Sequence, residues 1–392
     1  MKGRLVYICD WLPPDFGAVG QYAMIFARQL ATEGWQVTLV GLTSGATSQQ
    51  AREPVGQGSL GIILVHRPTY EKQRFASRLR WTVVSNVLLL RAAYAAMRQA
   101  DVVVFTGSPP LMLHFIAPLN VWLRKRLVYR ITDFHPECSI AQNGRAGLGL
   151  AMLQRLTWFW RRRIDTFEVL GVDQMRRLEA GGIAQERVRL KRNPPLVTFA
   201  PEFVPLPLPE PLRGSAGIIL YSGNWGVAHD ERTFVEAYAE YCTQSKNGLG
   251  FWLNAVGAGA DRVERELRSR GVPIHRSRLV PLAELPRLLL VADAHLITLR
   301  DPFVCYVLPS KVDACIASGK RILFVGSDRS DVHLLASQAL PPDRYQRVDN
   351  GDVDGLVDAL YSAEHAIVNE RHSTVPRREP LHGTESEHGW ST

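Results

Sequence analysis

The segment from Gly217 to Gly226, which reads GIILYSGNWG, is the most informative about the fold of this chain of 392 residues. Its first half, Gly217 to Tyr221, is an apolar run typical of a buried strand. A glycine-containing turn follows, and then a helical pattern from His229 to Tyr241. A buried strand joined by a glycine turn to a helix is the repeating unit of a parallel sheet covered by helices. The sequence therefore predicts an α/β protein.

Short apolar runs of the same kind alternate with helical patterns along the chain. In the first half these runs are Arg4 to Cys9, Gln36 to Leu42, Ile62 to Val65, Asp101 to Thr106 and Leu127 to Ile131. In the second half they are Gly217 to Tyr221, Gly250 to Val256, Ala294 to Leu299 and Arg321 to Val325. Continuous apolar strands separated by helices indicate parallel sheets covered on both faces. We therefore expect two doubly wound, Rossmann-like domains.

Seven prolines between Asn193 and Arg213 mark the boundary between the two domains. That density excludes a helix or a central strand and favours an extended connection. The predicted division is an N-terminal domain over 1–195, a linker over 196–213 and a C-terminal domain over 214–352. A closing helix over 353–370 follows the C-terminal domain. The tail over 371–392 is expected to be disordered, because it is polar and lacks periodicity.

Composition and charge exclude several classes of protein. The five cysteines form no C-x-x-C pair, which argues against a disulfide framework and a zinc site, and indicates a reducing compartment. The sequence has no secretory signal pattern and no apolar run long enough to span a membrane, so we expect a cytoplasmic protein. Residues 1–200 hold 26 basic and 13 acidic side chains, a balance of +13, whereas the remainder holds 20 and 25, a balance of −5. The basic half indicates an anionic partner or surface.

The segment from Lys72 to Ala100 concentrates this basic character. It holds six basic residues and no acidic one around an apolar centre. This composition suits an interfacial helix on anionic lipid, and so predicts peripheral contact with the inner face of a membrane. A core helix with a solvated basic rim is the alternative, since the sequence does not fix which face is exposed.

Two loops in the second half predict a site for phosphate. In the first, Ser222 to Gly226 offers backbone amides between a strand and a helix, although such turns are also common for steric reasons alone. In the second, Pro309-Ser310-Lys311 precedes a helix that ends at Gly319. Ser310 and Asp313 have the spacing of a capping box, which would present free amides beside the Lys311 ammonium. The alternative is that Ser310 is only a cap and Lys311 a solvated residue.

The order of these motifs resembles the GT-B glycosyltransferases of family four, also called glycosyltransferase group one. The resemblance covers nearly the whole chain and is most specific in the second half. Its elements there are Tyr221 to Asn224, Val256 to Gly259, Val280-Pro281 to Glu284-Leu285, Ala292-Asp293, and Pro309-Ser310-Lys311 to Lys320. In the first half, Pro13-Pro14 to Gly20 is similar to the family's glycine loop, and Asn193 matches the asparagine that closes its N-terminal domain.

The resemblance implies a nucleotide-diphosphate sugar bound mainly by the C-terminal domain, an acceptor bound by the N-terminal domain, and an active site in the cleft between them. It implies no cofactor and no metal, because transferases of this fold neutralise the leaving diphosphate with amides and basic side chains. The only Asp-x-Asp, Asp352 to Asp354, is interpreted as a helix cap. The implied donor-binding residues are Gly17, Gly223, Asn224, Trp225, His229, Gly257, Val280, Pro309, Ser310 and Lys311.

The sequence departs from the family pattern at the positions that carry its carboxylates and phosphate ligands. The family's pair of glutamates falls on Tyr306 and Ala314, and Asp313 would replace one of them only if its helix were rotated. The family's phosphate-binding arginine and lysine fall on Asn224 and about His229. Lys311 would therefore carry more of the charge of the diphosphate.

The acid/base position follows the strand that ends at Ile131. The family commonly has a histidine there, where this chain has Asp133, with His135 two residues further on. This pair would orient the acceptor hydroxyl or accept its proton, and is the predicted catalytic pair. The alternative is that Asp133 caps a turn and His135 is a satisfied loop residue. The turn Thr106 to Pro110 is expected to wall the acceptor pocket, or is simply a tight turn.

Together these features predict a retaining hexosyl-type glycosyltransferase that uses a nucleotide-diphosphate sugar and a hydroxyl acceptor. The basic first half favours a lipid-linked acceptor, as in the assembly of surface polysaccharide or glycolipid. Nucleic acid is not an expected partner. A nucleotide-sugar epimerase and a catalytically silent GT-B protein that binds a nucleotide or a partner glycosyltransferase are the alternatives. A dinucleotide oxidoreductase is disfavoured, because neither glycine loop has the G-x-G-x-x-G pattern.

Overall fold

The computed structural model of the chain describes residues 2–15, 17–68, 75–245 and 247–373. These residues form two sheets with helices on both faces, as the sequence predicts. Residues 374–392, most of the predicted tail, lie outside the described residues. Within the described ranges no helix is both long enough and apolar enough to cross a membrane.

The first sheet has eight strands in the order β3-β4-β2-β1-β5-β6-β7-β8. Every neighbouring pair in it is parallel except the β3–β4 hairpin at one edge. The strands are β1 Gly3–Trp11, β2 Trp35–Thr43, β3 Gln49–Val55, β4 Gly58–His66, β5 Val102–Thr106, β6 Arg126–Ile131, β7 Thr166–Val169 and β8 Val188–Leu190. The helices of this half are α1 Ala18–Thr32, α2 Phe75–Gln99, α3 Met112–Leu123, α4 Glu137–Asn143, α5 Leu148–Arg161 and α6 Val172–Ala180.

The second sheet has six strands, all parallel, in the order β11-β10-β9-β12-β13-β14. The strands are β9 Gly217–Asn224, β10 Leu249–Val256, β11 Ile274–Ser277, β12 Ala294–Thr298, β13 Arg321–Val325 and β14 Tyr345–Val348. The helices are α7 Arg232–Gln244, α8 Ala258–Ser269, α9 Leu285–Val291, α10 Val312–Ala317, α11 Asp331–Ala339 and α12 Val353–Ser373.

The central strands are buried on both faces, which explains their continuous apolar sequence. All five residues from Leu5 to Cys9 of β1 are buried, as are all five residues of β12 and of β13. Such strands need helices on both sides of the sheet to cover them. All nine predicted strands are present, at or within a few residues of the expected bounds. Strands β3, β7, β8, β11 and β14 were not predicted.

The two sheets lie beside one another with direct contacts between their loops. Asp133, after β6, forms an isolated bridge with Val307, and the Phe134 N–H donates to the Tyr306 carbonyl at 3.0 Å. Arg192 pairs with the buried Asp331 at 2.5 Å. The first two contacts hold the carboxyl end of β6 against the second half of the chain, and the ion pair holds the segment after β8 against it.

Helix α12 packs on α7 and also contacts β9, β13 and β14, so it completes the second half rather than the first. It begins at Val353 as predicted and continues to Ser373, three residues beyond the predicted end. The Asp352 carboxylate accepts a hydrogen bond from the Gly355 N–H at 3.0 Å. The interpretation of this Asp-x-Asp as a helix cap is confirmed.

Candidate functional site

A cavity of about 570 Å³ lies where loops of the two halves meet. From the first half it is lined by the segment after β1 and the start of α1, with Leu196 beside them. From the second half it is lined by β9, β10, the segment 279–282, α9, β12, the turn before α10 and α10 itself. Ligands of doubly wound sheets bind beyond the carboxyl ends of their strands, which is where this cavity lies. Its lining includes four of the predicted donor-binding residues, Gly223, Val280, Ser310 and Lys311, and Ala18, which follows the predicted Gly17.

Lys311 is the cation of this cavity. Its side chain is half-buried as a whole, but its Nζ is fully buried and has no hydrogen-bond partner among the described residues. The Nζ lies 3.1 Å from the centre of the Tyr221 ring, and burial lowers the pKa of the ammonium to about 7. A buried ammonium without a hydrogen-bond acceptor is costly, so an anion beside Nζ would stabilise its charged form.

The turn that holds Lys311 differs from its predicted form. Helix α10 begins only at Val312, its N-cap is Lys311, and no side chain caps it, so the predicted capping box of Ser310 and Asp313 is wrong. Ser310 is exposed and lies in the turn before the helix, and its backbone N–H has no acceptor among the described residues. The free donors here therefore come from an open turn, not from the first turn of a long helix. Pro309 is buried and lies outside the lining.

Gly223 lines the cavity opposite Lys311. A Cβ built on it would lie 3.9 Å from the Lys311 Nζ, and its φ of +118° is one that only glycine adopts without strain. Strand β9 continues through Gly223 to Asn224, and α7 begins only at Arg232. Helix α7 therefore begins three residues after the predicted start at His229, and the segment 225–231 separates it from Gly223.

Three predicted donor-binding residues near Gly223 do not line the cavity. Trp225 is fully buried and stacks on Tyr221, with ring centres 3.9 Å apart. His229 is held against the Thr298 carbonyl, with 2.6 Å between Nδ1 and that oxygen. Burial, with Lys311 nearby, lowers the pKa of His229 to about 3, so this imidazole is neutral and cannot supply the missing positive charge. Asn224 is exposed.

Gly257, the N-cap of α8, also lies outside the lining of the cavity. A Cβ built on it would lie 2.4 Å from the Asn224 Oδ1 and 3.0 Å from the Trp225 carbonyl. Its φ is +100°. The residue therefore permits the close packing of two loops, and the structure brings it near Asn224 and Trp225 but not into the cavity.

The wall from the first half is formed by Pro13, Pro14, Asp15, Ala18 and Gln21. The Asp15 carboxylate accepts hydrogen bonds from Thr43 Oγ1 and the Ser44 N–H, each at 2.9 Å. Burial would raise its pKa, but the bonds from Ser44 and Thr43 outweigh burial and lower it, so the group stays charged.

The glycines of this loop position the wall. Gly17 is the N-cap of α1 and lies beside the lining residue Ala18. A Cβ built on Gly20 would lie 1.8 Å from the Trp11 carbonyl oxygen, so only glycine allows α1 to approach the end of β1 this closely.

The remaining wall is apolar where the family resemblance implies carboxylates. Ala314 and Cys315, not Asp313, face the cavity, together with Leu285 and Leu289 of α9. Tyr306 is half-buried against Phe134, with ring centres 6.2 Å apart, and lies outside the lining. Neither glutamate position therefore supplies a charged group here.

The predicted catalytic pair lies in the loop after β6, outside the lining of the cavity. Burial raises the pKa of Asp133, and the neighbouring His135 opposes that shift. Burial lowers the pKa of His135. The two side chains are half-buried, and the Asp133 backbone is fixed by its bridge with Val307.

Asp10, at the end of β1, is a neighbouring acid that the sequence analysis missed. Its Oδ2 accepts a hydrogen bond from Ser108 Oγ, while its Oδ1 is buried without a partner among the described residues. Burial raises the pKa of Asp10 to about 6, and the charge of Asp133 contributes to that shift. The polar end of the apolar run before Trp11 was the signal that could have identified it. Ser108 belongs to the turn predicted to wall the acceptor pocket. Through its hydrogen bond to Asp10 it joins a polar cluster with Asp10 and Asp133, which we call the acidic cluster.

Comparison of the sequence with protein-family models finds no match, and comparison with curated proteins finds none either. Solved structures do match. Anabaena Alr3699/HepE in complex with UDP and glucose is 10% identical, with a TM-score of 0.59, and the match covers 95% of this chain and 94% of that chain. An α,α-trehalose-phosphate synthase (UDP-forming) from Burkholderia xenovorans is 14% identical, with a TM-score of 0.59 and coverage of 94% and 95%.

A putative UDP-N-acetylglucosamine 2-epimerase from Listeria monocytogenes is also similar, at 11% identity, a TM-score of 0.56 and coverage of 94% and 91%. At these identities the similarity concerns the fold. The chain has the GT-B glycosyltransferase fold, with two parallel-dominated sheets, and this part of the resemblance seen in the sequence is confirmed. Membership of family four stays a prediction.

Proposed function

We propose that this chain is a glycosyltransferase that moves a hexose or related sugar from a nucleotide-diphosphate sugar to a hydroxyl acceptor. The observation that carries this proposal is the unpartnered Lys311 Nζ at a 570 Å³ cavity between the two halves of a GT-B fold. The leaving group of such a reaction is a nucleoside diphosphate, whose negative charge grows as the glycosidic bond breaks. A fixed, desolvated cation stabilises that charge more than it would in water.

The shape and chemistry of the cavity support binding of the nucleotide portion of the donor. The apolar wall formed by Val280, Leu285 and Leu289 suits the flat face of a base, and Lys311 with the free Ser310 amide suits the diphosphate. No metal is part of this proposal, since Lys311 and the amides supply the positive charge.

The proposed binding site for the acceptor is the acidic cluster at the carboxyl ends of β1 and β6. Asp133 and His135 are proposed to orient the acceptor hydroxyl, with Asp10 beside them. The reaction is proposed to retain configuration, with the leaving phosphate helping to take the acceptor's proton. Surface polysaccharide or glycolipid assembly on the cytoplasmic side of a membrane is the proposed setting, with a lipid-linked acceptor.

A second candidate is a GT-B protein that binds a nucleotide without transferring a sugar. Ala314 favours it, because the cavity has an apolar methyl where a carboxylate would hold the donor. An epimerase, although it shares the fold, is disfavoured by the same wall, which offers Asp15 as its sole carboxylate within the described lining.

Thermal melting against UDP, GDP, ADP, dTDP and their sugars tests the donor site. A ligand present at about 100 times its Kd adds roughly 2.7 kcal/mol to the free energy of unfolding, so the correct nucleotide should stand out. Lys311→Ala should abolish most of that stabilisation. The matched control is Lys320→Ala, because Lys320 follows α10 but does not line the cavity.

Transfer itself is tested by incubating the protein with the selected nucleotide sugar and a set of hydroxyl acceptors, and measuring release of the nucleoside diphosphate. Release that depends on acceptor supports a transferase. Binding of the nucleotide sugar without release of the nucleoside diphosphate, whichever acceptor is added, would support the silent nucleotide-binding protein. An unaltered nucleotide response in Lys311→Ala would remove the phosphate assignment.

A further inference from the structure

The outer surface of the first half carries an unusual concentration of exposed apolar side chains. Ten of the sixteen large apolar side chains that are exposed in the described ranges lie on α2, α3 and α5. Helix α3 contacts both of the others, so the three helices are adjacent. We call this surface the basic apolar face. Its apolar members are Leu79, Val83, Val87, Tyr94, Val121, Trp122, Leu148, Met152, Leu156 and Phe159.

Helix α5 turns its apolar side away from the protein. Leu148, Met152, Leu156 and Phe159 are exposed and fall within an arc of about 80° on a helix of 3.6 residues per turn. Leu148 is 89% exposed and Met152 is 69% exposed. Thr157 and Arg161 lie on the opposite side of the helix and are buried. An amphipathic helix that exposes its apolar stripe indicates a surface covered by something else.

Helix α3 adds an aromatic residue to the same face. Trp122, near the end of α3, is 86% exposed, and Val121 beside it is also exposed. Tryptophan at this exposure is rare on a surface that faces only water, but it is typical of residues that lie at the boundary between lipid headgroups and acyl chains.

The charge of this face is mainly of one sign. Helices α2, α3 and α5 contain no Asp and no Glu in their whole length. The exposed acids beside them, Asp101 and Asp165, accept hydrogen bonds from the backbone N–H groups of Arg4 and Leu127. Exposed basic side chains on these helices and in the residues beside them are Arg80, Arg91, Arg98, Arg124, Arg126, Arg145, Arg155, Arg162 and Arg163. In the described part of the chain none of these nine is in an ion pair. Their charge is therefore free to neutralise an external anion.

We propose that the basic apolar face docks on the surface of an anionic lipid bilayer, with the apolar side chains of α5 and Trp122 inserted below the headgroups. Arginines around an apolar stripe match both layers of such a surface, since the guanidinium groups meet the phosphates and the apolar groups leave water. A second protein copy is a poorer match, because two copies of a face whose helices carry basic residues and no acid would repel each other.

The position of this face relates it to the cleft. After His135 the chain forms α4, which packs against the residues Asp301–Phe303 of the second half, and then the exposed segment 144–147 leads into α5. The loop of the proposed acceptor site is therefore joined through α4 to α5, one of the three helices of the docking face. Docking through α5 would place the acceptor side of the cleft near the bilayer.

Vesicle flotation tests the proposal with the full chain. Vesicles of phosphatidylcholine alone are compared with vesicles that also contain about 30% phosphatidylglycerol. The protein should float with the anionic vesicles and not with the neutral ones. The variant Leu148→Glu with Met152→Glu should lower the partition coefficient at least about tenfold, because it removes inserted apolar area and adds two negative charges.

A matched control separates this face from general charge effects. Val204→Glu with Val227→Glu adds the same charges at exposed apolar positions outside the face, Val204 being 67% exposed, and should float like the parent. All four substituted side chains are exposed, and unchanged melting curves would verify folding.

Flotation of the α5 variant equal to that of the parent would overturn the proposal. Absence of flotation with both kinds of vesicle would also overturn it, as would a dimer of the parent that the α5 variant converts to a monomer. The readout is binding alone, so its failure leaves the proposed transfer reaction untouched.

Discussion

Binding of the nucleotide sugar should weaken as the pH rises above 7, because the ammonium that holds its diphosphate loses its proton. Burial lowers the pKa of Lys311 to about 7 in the free protein. Diphosphate oxygens beside Nζ favour the charged form and raise that pKa. Above pH 7 each binding event must therefore restore a proton to Lys311, and the Kd should rise up to about tenfold per pH unit. Between pH 6 and 8 the expected change is about tenfold.

The titratable groups next to Lys311 do not change their charge between pH 6 and 9. Burial holds the pKa of His229 and of His295 at about 3, so both are neutral throughout it. Burial raises the pKa of the adjacent Cys315 thiol to about 12. The diphosphate of a nucleotide sugar stays ionised over the same range. Lys311 is thus the group of the described cavity whose charge changes.

Isothermal titration calorimetry at pH 6, 7, 8 and 9 measures the effect. Repeating each titration in buffers of different ionisation enthalpy gives the number of protons taken up, which should approach one near pH 8. Lys311→Met, which keeps the length of the side chain without its charge, should bind weakly and without pH dependence. A Kd that is constant from pH 6 to 9 in the parent, or that varies equally in Lys311→Met, would show that Lys311 does not gain a proton when the nucleotide sugar binds.

Three further predictions concern single substitutions. Lys311→Met should raise the free energy of unfolding at pH 6 by about 1–3 kcal/mol, because it removes a buried charge that has no hydrogen-bond acceptor, and urea denaturation of the ligand-free protein would measure this. Asp133→Asn should leave the nucleotide-induced melting shift intact but lower the rate of transfer at least about tenfold; equal rates would exclude Asp133 from the reaction. Gly20→Ala should destabilise the protein by about 2–4 kcal/mol, because its Cβ would lie 1.8 Å from the Trp11 carbonyl oxygen. Gly149→Ala, in α5 with nothing within 4 Å of the new Cβ, is the control and should be neutral or slightly stabilising in the same urea denaturation.

The buried central strands were predictable because their burial on both faces imposes a continuous apolar sequence. The strands that were missed lack this pattern. Strand β3 is exposed along six of its seven residues, so its sequence, QQAREPV, carries no apolar signal. Strands β7, β8 and β14 have three or four residues each, too few for a period to appear. Their positions follow from tertiary pairing with β6, β7 and β13.

The residues of the cavity were predictable where their position in the chain, at the end of a strand, is enough to place them there. Gly223, Val280, Ser310 and Lys311 line the cavity because they follow strand ends at the carboxyl edge of the sheet. For Trp225 and His229 the direction of the side chain matters, and packing on Tyr221 and bonding to Thr298 turn both away. No local pattern in the sequence encodes those partners.

The basic character of α2 was visible in the sequence, but the face it belongs to was not. Trp81 and Leu89 show that one side of α2 is core, as the alternative interpretation expected. The most exposed apolar residues lie on α3 and α5, and only the folded arrangement places these helices beside α2. Peripheral contact with the membrane stays a prediction, now assigned to a defined surface.

We expect Lys311 and the adjoining turns to hold a diphosphate in the cavity between the halves. A crystal structure of the protein with the nucleotide that gives the largest melting shift would show whether they do. We expect a phosphate oxygen within about 3 Å of the Lys311 Nζ, and the base against Val280. A nucleotide bound elsewhere, with Lys311 still resting unpaired on the Tyr221 ring, would contradict the account.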